Sequence, residues 1–88
     1  MRRTSKFKRQ YAIWKKENPF ICQVIKELVR DVGRHFGTGI GSPEKLSGAT
    51  NMWSRRINDK HRLVYRVLKK EDLIELIRCR GHYADNGH

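Results

Sequence analysis

Residues 52–68 read MWSRRINDKHRLVYRVL, and this stretch decides the fold. Its two ends, residues 52–57 and 62–68, are rich in β-branched and aromatic side chains with strand-like alternation. Four polar residues separate them, which is a usual length for the connection of a β-hairpin. A third run of this kind, residues 73–79, follows after four more polar residues. The pattern predicts an antiparallel meander of three strands.

Helical periodicity dominates the chain before this meander. Apolar residues recur at helical spacing in two segments. The first segment contains Phe7, Tyr11 and Trp14, and the second contains Ile21, Val24, Ile25, Leu28, Val29 and Val32. Asn18-Pro19 separates them, with Asn18 expected to cap the second helix and Pro19 to lie in its first turn. The two segments are therefore expected to form a helical hairpin.

A glycine-rich segment connects the helices to the meander. Gly33 is expected to end the second helix, and residues 33–43 are expected to form a loop that delivers Glu44 and Lys45. A meander has one face to bury, and a helical hairpin supplies a matching apolar surface. The expected fold class is therefore α+β, with the hairpin packed on one face of an antiparallel sheet. We expect a single domain over residues 1–88, with residues 84–88 as a terminal tail.

The composition points to a polyanionic partner. The chain has 20 Lys and Arg against 9 Asp and Glu, a formal net charge of +11 on 88 residues. This length excludes a two-domain enzyme with a cleft between its domains. The apolar stretches are far shorter than the roughly 20 residues of a membrane span, and no signal-peptide pattern follows the basic start. We expect a cytoplasmic location and no membrane partner.

Cysteine and histidine spacing gives no sign of a bound metal. Cys22 and Cys79 lie far apart in the sequence, outside any C-x-x-C motif, and are expected to be reduced, buried thiols. His35 and His61 have no partners at a recognisable ligand spacing. No metal cofactor is expected.

Basic residues concentrate at one edge of the predicted sheet. The end of the first strand, the start of the second and the end of the third meet there, bringing together Arg55, Arg56, His61, Arg62, Arg78, Arg80, His82 and Tyr83. Centring the last hairpin between Lys70 and Glu71 places Arg62 opposite Cys79 or Arg80. Such a cluster suits either a phosphate-binding site or a solvated charged face.

The sequence closely resembles a known family, the YoeB/Txe-type toxins of the RelE superfamily. The resemblance is carried by WSRRINDKHRLVY at 53–65, CRGHY at 79–83 and SPEKL at 42–46, which is similar to the family's Lys-Pro-Glu-Pro-Leu segment. It covers most of the chain. It implies a RelE-like microbial RNase fold and a toxin that cleaves mRNA in the ribosomal A site. It also implies an acidic, partly disordered antitoxin of the YefM/Phd kind, chemistry without a metal or organic cofactor, and homodimers as found in the family.

The resemblance further implies a role for each site residue. Glu44 would be the general base, Arg62 the arginine that stabilises the transition state, His82 the general acid and Tyr83 the supporting aromatic. RNA phosphates would be bound by Arg55, Arg56, His61 and Arg80. Attack by a ribose 2′-OH needs a proton acceptor, a cation near the phosphoryl oxygens and an acid for the departing oxygen, and these side chains supply all three.

Three features depart from the family pattern. The start, MRRTSK, is polar, so the family's N-terminal edge strand is expected to be missing or weak. Lys60 stands where the family often has an acid, and the segment from Glu44 to Trp53 is shorter. Both of these changes lie close to the expected site.

Two other functions fit parts of the same pattern. A non-catalytic RNA-binding module needs only the arginine-rich edge and would be indifferent to loss of Glu44. A gyrase-inhibiting relative of the same superfamily would share the fold without the nuclease residues. Taken alone, Glu44 is typical of a solvated loop carboxylate, and His82 of a polar residue near a chain end. The nuclease interpretation therefore depends on the combination of Glu44, Arg62 and His82.

Overall fold

The computed structural model describes residues 1–48 and 50–81 as a helical hairpin packed on a five-stranded sheet. The helices are α1 (Ser5–Glu17) and α2 (Pro19–Arg34). The strands are β1 (Arg2–Arg3), β2 (Glu44–Lys45), β3 (Met52–Arg56), β4 (Arg62–Leu68) and β5 (Leu73–Arg78), with a 3₁₀ turn at Lys69–Glu71. Their spatial order is β1-β5-β4-β3-β2. The predicted α+β class is confirmed.

The helical hairpin has the predicted break between its arms. Pro19 occupies the first turn of α2 and Asn18 the N-cap position, although the Asn18 side chain makes no capping hydrogen bond. α2 continues through Gly33 to Arg34, so Gly33 lies within its last turn and does not end the helix as expected. Neither helix in the described ranges is long and apolar enough to cross a membrane.

Thr4 fastens the start of α1 to the sheet. Its hydroxyl accepts a hydrogen bond from the Phe7 amide at 3.1 Å, which caps the helix, and donates one to the Ile77 carbonyl at 2.7 Å. The Thr4 amide also donates to the Leu76 carbonyl at 3.0 Å. One residue therefore fixes where α1 begins relative to β5.

The register of the last hairpin follows the prediction up to a β-bulge. Tyr65 pairs with Leu76 and Leu68 with Leu73, as expected for a hairpin centred between Lys70 and Glu71. The ladder then shifts, so that Val64 pairs with Arg78 and Ile77 becomes the extra residue. Because alternate residues of a strand point to opposite faces, the bulge turns Arg78 to the same face as Val64.

The sheet gains a short strand at the edge formed by β1. β1 runs parallel to β5, pairing Arg2 with Glu75 and Arg3 with Leu76. The N-terminal edge strand, expected to be missing or weak, is therefore present but only two residues long, and the sheet is mixed instead of wholly antiparallel. Backbone pairing needs no apolar side chains, and the Arg2 guanidinium adds a contact of 3.1 Å to the Glu75 carboxylate.

At the opposite edge, β2 pairs Glu44 with Ser54 and Lys45 with Trp53. These residues were expected only as the end of a loop. The Leu46 amide extends the pairing by donating to the Met52 carbonyl at 2.9 Å. Glu44 is therefore part of the sheet ladder, and its backbone position is set by β3.

The hydrophobic core lies between the helices and one face of the sheet. Its buried residues are Phe7, Trp14, Ile21, Cys22, Ile25, Leu28, Val32, Ile57, Leu63, Tyr65, Val67, Leu76 and Cys79. Trp53 is half-buried and packs edge-on against Phe36. Both cysteines are buried free thiols, as predicted, and burial raises the pKa of Cys79 to about 12.

Arg55 is completely buried on the helix-facing side of the sheet. Its guanidinium donates to Tyr65 Oη at 3.1 Å and to Asp31 Oδ2 at 2.5 Å. It also donates to three main-chain carbonyls of the connecting loop, those of His35, Thr38 (2.7 Å) and Ile40 (3.0 Å). These five acceptors match the five N–H donors of arginine.

The prediction that Arg55 binds RNA phosphate is therefore wrong. A side chain that is 0% exposed, with its donors committed to internal acceptors, has nothing to offer a phosphate. Arg55 and Trp53 are two residues apart in β3, so their side chains lie on the same face of the sheet. That face is the one covered by the helices.

Two glycines let the loop close tightly over this guanidinium. Gly39 has φ +114°, and a Cβ there would lie 1.9 Å from Asp31 Oδ2. Gly41 has φ +79°, and a Cβ there would lie 2.7 Å from a Leu28 methyl carbon. Larger residues are thus excluded by both backbone conformation and space.

We expect Asp31→Asn to lower the melting temperature near neutral pH and to weaken its dependence on acid. The Arg55 hydrogen bond holds the pKa of Asp31 below its ordinary value of 3.8. The contribution of this carboxylate to stability is complete above that value and is lost as the pH falls through the lower, folded pKa. Scanning calorimetry from about pH 6 to about pH 2 measures the effect.

Glu27→Gln, an exposed substitution on the same helix, serves as the control for that experiment. The difference in melting temperature between wild type and Asp31→Asn should shrink toward low pH. A difference that stays constant across the range would contradict the assigned role of Asp31.

Candidate functional site

The face of the sheet turned away from the helices, here called the outer face, carries one row of side chains from four strands. Ladder pairs join Glu44 to Ser54, Ser54 to Val64, and Val64 to Arg78. Residues paired across strands point to the same side, so these four are neighbours. With strands about 4.8 Å apart, the row spans about 14 Å from a carboxylate at one end to a guanidinium at the other.

The next row on the outer face contributes two more arginines. Arg56 pairs with Arg62, and both lie two residues beyond the first row, about 7 Å along the strands. Arg62 is therefore placed diagonally from both Glu44 and Arg78. Glu44 and Arg56 are exposed, whereas Arg62 is only 8% exposed.

A tight turn holds Arg62 in place. Asn58 Oδ1 accepts hydrogen bonds from the amides of Lys60 at 3.0 Å and His61 at 2.8 Å, which folds residues 58–61 into an Asx turn. The turn presents carbonyls to Arg62, whose Nη1 donates to Asn58 O at 2.7 Å and to His61 O at 3.1 Å. Arg62 is therefore a charge fixed in the protein framework. Lys60 itself is exposed.

His61 is a half-buried ring whose Nδ1 is already used. The ring packs edge-on against Trp14, with 4.8 Å between ring centroids, and Nδ1 accepts a hydrogen bond from the Gly81 amide at 2.9 Å. Burial lowers the pKa of His61, and the nearby charges of Arg80, Lys60 and Arg62 lower it further. These effects favour the neutral ring, and a neutral ring whose Nδ1 accepts a hydrogen bond carries its proton on Nε2.

Gly81, the residue directly before His82, is held from two sides. Besides the bond to His61, its carbonyl accepts a hydrogen bond from the Arg62 amide at 2.9 Å. The turn that fixes Arg62 thus also fixes the backbone at Gly81. His82 and Tyr83 lie outside the described residues, and their roles stay predictions.

Arg80 is engaged with α1. Its guanidinium stacks on Trp14, with Cζ 4.4 Å from the ring centroid, and Nη2 donates to Glu17 at 2.9 Å. These contacts place the Arg80 guanidinium against the helical layer. Arg62, with which it was expected to share a face, is held instead by carbonyls of the 58–61 turn.

Arginine side chains lie toward both ends of the outer face. Towards one end, Glu75 lies 3.1 Å from Arg2 and 3.8 Å from Arg66, so arginine charge there has a counter-ion on the protein. At the other end, Arg56, Arg62 and Arg78 lie in or beside the row that contains Glu44. Asp59, an exposed residue of the 58–61 turn, lies 4.0 Å from Arg56.

The structure therefore brings together Glu44, Arg56 and Arg62 from the predicted set and adds Arg78. Arg78 was placed at this edge by its sequence position, but its orientation depends on the bulge, for which the sequence has no glycine or other marker. Within residues 1–48 and 50–81, no group of three His, Cys, Asp or Glu side chains is arranged to hold a metal ion. The described part of the outer face can bind phosphate and accept a proton.

Comparison of the sequence with known proteins gives consistent matches. Residues 4–83 match the family model described as the YoeB-like toxin of bacterial type II toxin-antitoxin system. Toxin YoeB of Escherichia coli is 39% identical over 74 residues, which cover 83% of this chain and 86% of that protein.

Solved structures give the same result at the level of the fold. A YoeB/ParE toxin from Agrobacterium tumefaciens superposes with a TM-score of 0.88 at 36% identity, covering 93% of this chain and 96% of that one. A YoeB dimer (TM-score 0.83, 34% identity) and a YoeB-YefM complex (0.80, 36%), both from Staphylococcus aureus, each cover 93% of this chain and 94% of theirs. Because sequence and structure agree over nearly the whole length, this chain belongs to the YoeB-like toxins of bacterial type II toxin-antitoxin systems.

Proposed function

We propose that this toxin is an endoribonuclease that cleaves mRNA in the ribosomal A site without a metal or organic cofactor, and so stops translation in the cytoplasm. The observation that carries the proposal is the outer face, where an exposed carboxylate, Glu44, lies in register with a cluster of three arginines. A surface that only binds RNA has no need of a carboxylate there, since it would repel phosphate.

Glu44 is the proposed general base. Its side chain is exposed, while its backbone is fixed by pairing with Ser54 in a two-residue strand. A proton acceptor must lie within hydrogen-bonding reach of the 2′-OH. Because Glu44 belongs to a strand, the backbone atoms from which its carboxylate extends have a fixed position.

Arg62 is the proposed stabiliser of charge in the transition state. It is almost buried and is held by carbonyls of the 58–61 turn, so little reorganisation is needed when negative charge develops on the phosphoryl oxygens. The proposed phosphate-binding residues are Arg56 and Arg78. Arg56 is exposed and pairs with Arg62, and Arg78 lies on the neighbouring strand β5. His61 is left with a single neutral donor, Nε2–H, for an RNA contact.

His82 is the proposed general acid and Tyr83 the aromatic that packs on or hydrogen-bonds to a base. The support for these roles is the family resemblance together with the two hydrogen bonds that hold Gly81 directly before His82. The Arg80 guanidinium packs on Trp14. Its proposed role is therefore to attract RNA through its charge instead of through direct contact with a phosphate.

Dependence on the ribosome has a physical reason in this arrangement. Glu44 and Arg62 lie on strands separated by β3, and a single-stranded RNA must be held in one conformation to meet both. Fixing flexible reactants accounts for a large part of catalysis, and a codon held in the A site has already lost that freedom.

We expect Glu44→Ala, Arg62→Ala and His82→Ala each to reduce cleavage by about 100-fold or more, because acid-base groups and fixed charges contribute that much. The assay maps mRNA ends in a reconstituted bacterial translation reaction. Cuts should fall within A-site codons and require the ribosome.

Glu71→Ala and Arg9→Ala are the matched controls, because they remove an exposed carboxylate and an exposed arginine away from the outer-face cluster. Both should cleave like wild type. Undiminished cleavage by Glu44→Ala would reject the proposed base. Absence of cleavage by folded wild-type protein would leave a basic RNA-binding domain.

We also propose that an acidic antitoxin inhibits this toxin by docking in a groove between α1 and α2. The groove has a volume of about 580 Å³. Its apolar lining consists of Phe7, Tyr11, Ala12, Ile25 and Val29, and its basic lining consists of Arg3, Lys8, Lys15, Lys26 and Arg30. An apolar floor with an entirely basic rim fits an amphipathic acidic segment.

The relative from Staphylococcus aureus that was solved with YefM supports a protein partner of this kind. RNA is a poorer match for the groove because phosphates gain nothing from an apolar floor. A second copy of the chain, also carrying +11, would meet the basic rim with like charge.

Reversing two rim charges, Lys8→Glu with Lys26→Glu, should weaken antitoxin binding by about 10-fold or more, because attraction becomes repulsion. Isothermal titration calorimetry with the purified cognate antitoxin measures the change. The control, Lys6→Glu with Lys16→Glu, alters net charge equally at exposed positions outside the groove lining. Equal weakening by both pairs would show that net charge alone matters and would reject the groove.

A homodimer is proposed as a second assembly, supported by the dimer described for a Staphylococcus aureus relative. Each copy carries a net charge of +11, and salt screens the repulsion between the two copies. Dimerisation should therefore be stronger at high salt.

A further inference from the structure

We propose that Arg55 is a positioning residue for Glu44, and that it acts by holding the 35–43 segment against the sheet. This inference rests on the proposed nuclease function, and it assigns to a buried arginine a part in catalysis without contact with RNA.

The guanidinium of Arg55 anchors the loop. Three carbonyls of the loop, those of His35, Thr38 and Ile40, accept hydrogen bonds from Arg55. Asp31 pairs with the same guanidinium at 2.5 Å and accepts a hydrogen bond from the Ile40 amide at 3.1 Å. The loop backbone is therefore tied at several points to a side chain of β3.

A short stretch of backbone connects this anchor to Glu44. Directly after Ile40, the Gly41 carbonyl accepts a hydrogen bond from the Arg56 amide at 2.6 Å. Ser42 and Pro43 follow, and Glu44 then pairs with Ser54. The chain between the anchor and the proposed base is thus too short to absorb a shift of the loop. A movement near Ile40 would be passed on to a strand of only two residues.

Tyr65 completes the anchor from the central strand. Its hydroxyl accepts from Arg55 Nε at 3.1 Å and donates to the Phe36 carbonyl at 2.5 Å. The acceptors of Arg55 lie in several directions around a planar group, a pattern that suits the fork of a guanidinium. A lysine keeps the charge but offers a single ammonium with three donors, so it cannot replace these contacts.

Arg55→Lys is therefore the informative variant. Misplacement of a catalytic group by about 1 Å can cost roughly 100-fold in rate. We expect Arg55→Lys to lower kcat for ribosome-dependent cleavage by about 10- to 100-fold with KM nearly unchanged, because Arg56, Arg62 and Arg78 remain to bind RNA.

A double-mutant cycle with Glu44→Ala separates positioning from a general loss of stability. If Arg55 acts through Glu44, then adding Arg55→Lys to Glu44→Ala causes no further loss of kcat. Ile25→Val, a substitution in the core, controls for reduced melting temperature and should leave kcat unchanged. Losses of kcat that multiply in the double variant would overturn the inference.

Amide hydrogen exchange tests the same inference without any cleavage. In Arg55→Lys, exchange should accelerate at the Arg56 and Leu46 amides, which bond to Gly41 and Met52. It should stay unchanged at the Thr4 amide, which bonds to Leu76 of β5. Unchanged exchange at Arg56 and Leu46 would overturn the inference. If wild-type protein cuts no mRNA, the nuclease proposal fails by itself, and the exchange pattern still decides whether Arg55 holds this segment.

Discussion

A buried guanidinium must satisfy all of its N–H groups inside the protein, and this requirement at Arg55 organises much of the molecule. The cost of leaving any donor unpaired in the interior is large. The connecting loop meets the demand with carbonyls, α2 with Asp31 and β4 with the Tyr65 hydroxyl. A glycine-rich segment, which has little preference of its own, thereby acquires one conformation. The same segment then enters the sheet at Glu44.

Much of this architecture follows from local sequence patterns. The helical hairpin, its break at Pro19 and the three long strands depend on periodicity and turn residues, which are properties of neighbouring positions. The edge strand β1 was expected to be missing or weak and β2 was expected as the end of a loop, because each is two residues long and is defined by its partner. The departure of Arg78 from simple alternation depends on a bulge that no turn residue signals.

The burial of Arg55 was predictable from alternation along β3. Trp53, Arg55 and Ile57 have the same parity, so two apolar neighbours already indicated that Arg55 points to the core. The Asp31 carboxylate on α2 was the available counter-charge. For the site itself, the register of β4 with β3 placed Arg62 beside Arg56 as expected. The position of Glu44 needed the structure, since it depends on the loop and on pairing with β3.

The bulge at Ile77 also bears on which changes of length this protein can accept. Loss of the bulge at unchanged length would pair Ile77 with Val64 and turn Arg78 toward the helices, whereas deletion of Ile77 would restore simple alternation with Arg78 still on the outer face. Substitutions on the outer face alter one side chain at a time, whereas loss of the bulge at unchanged length would reassign several at once. Over evolutionary time, β5 should therefore accept the loss of one residue at Ile77 without any exchange of its two faces.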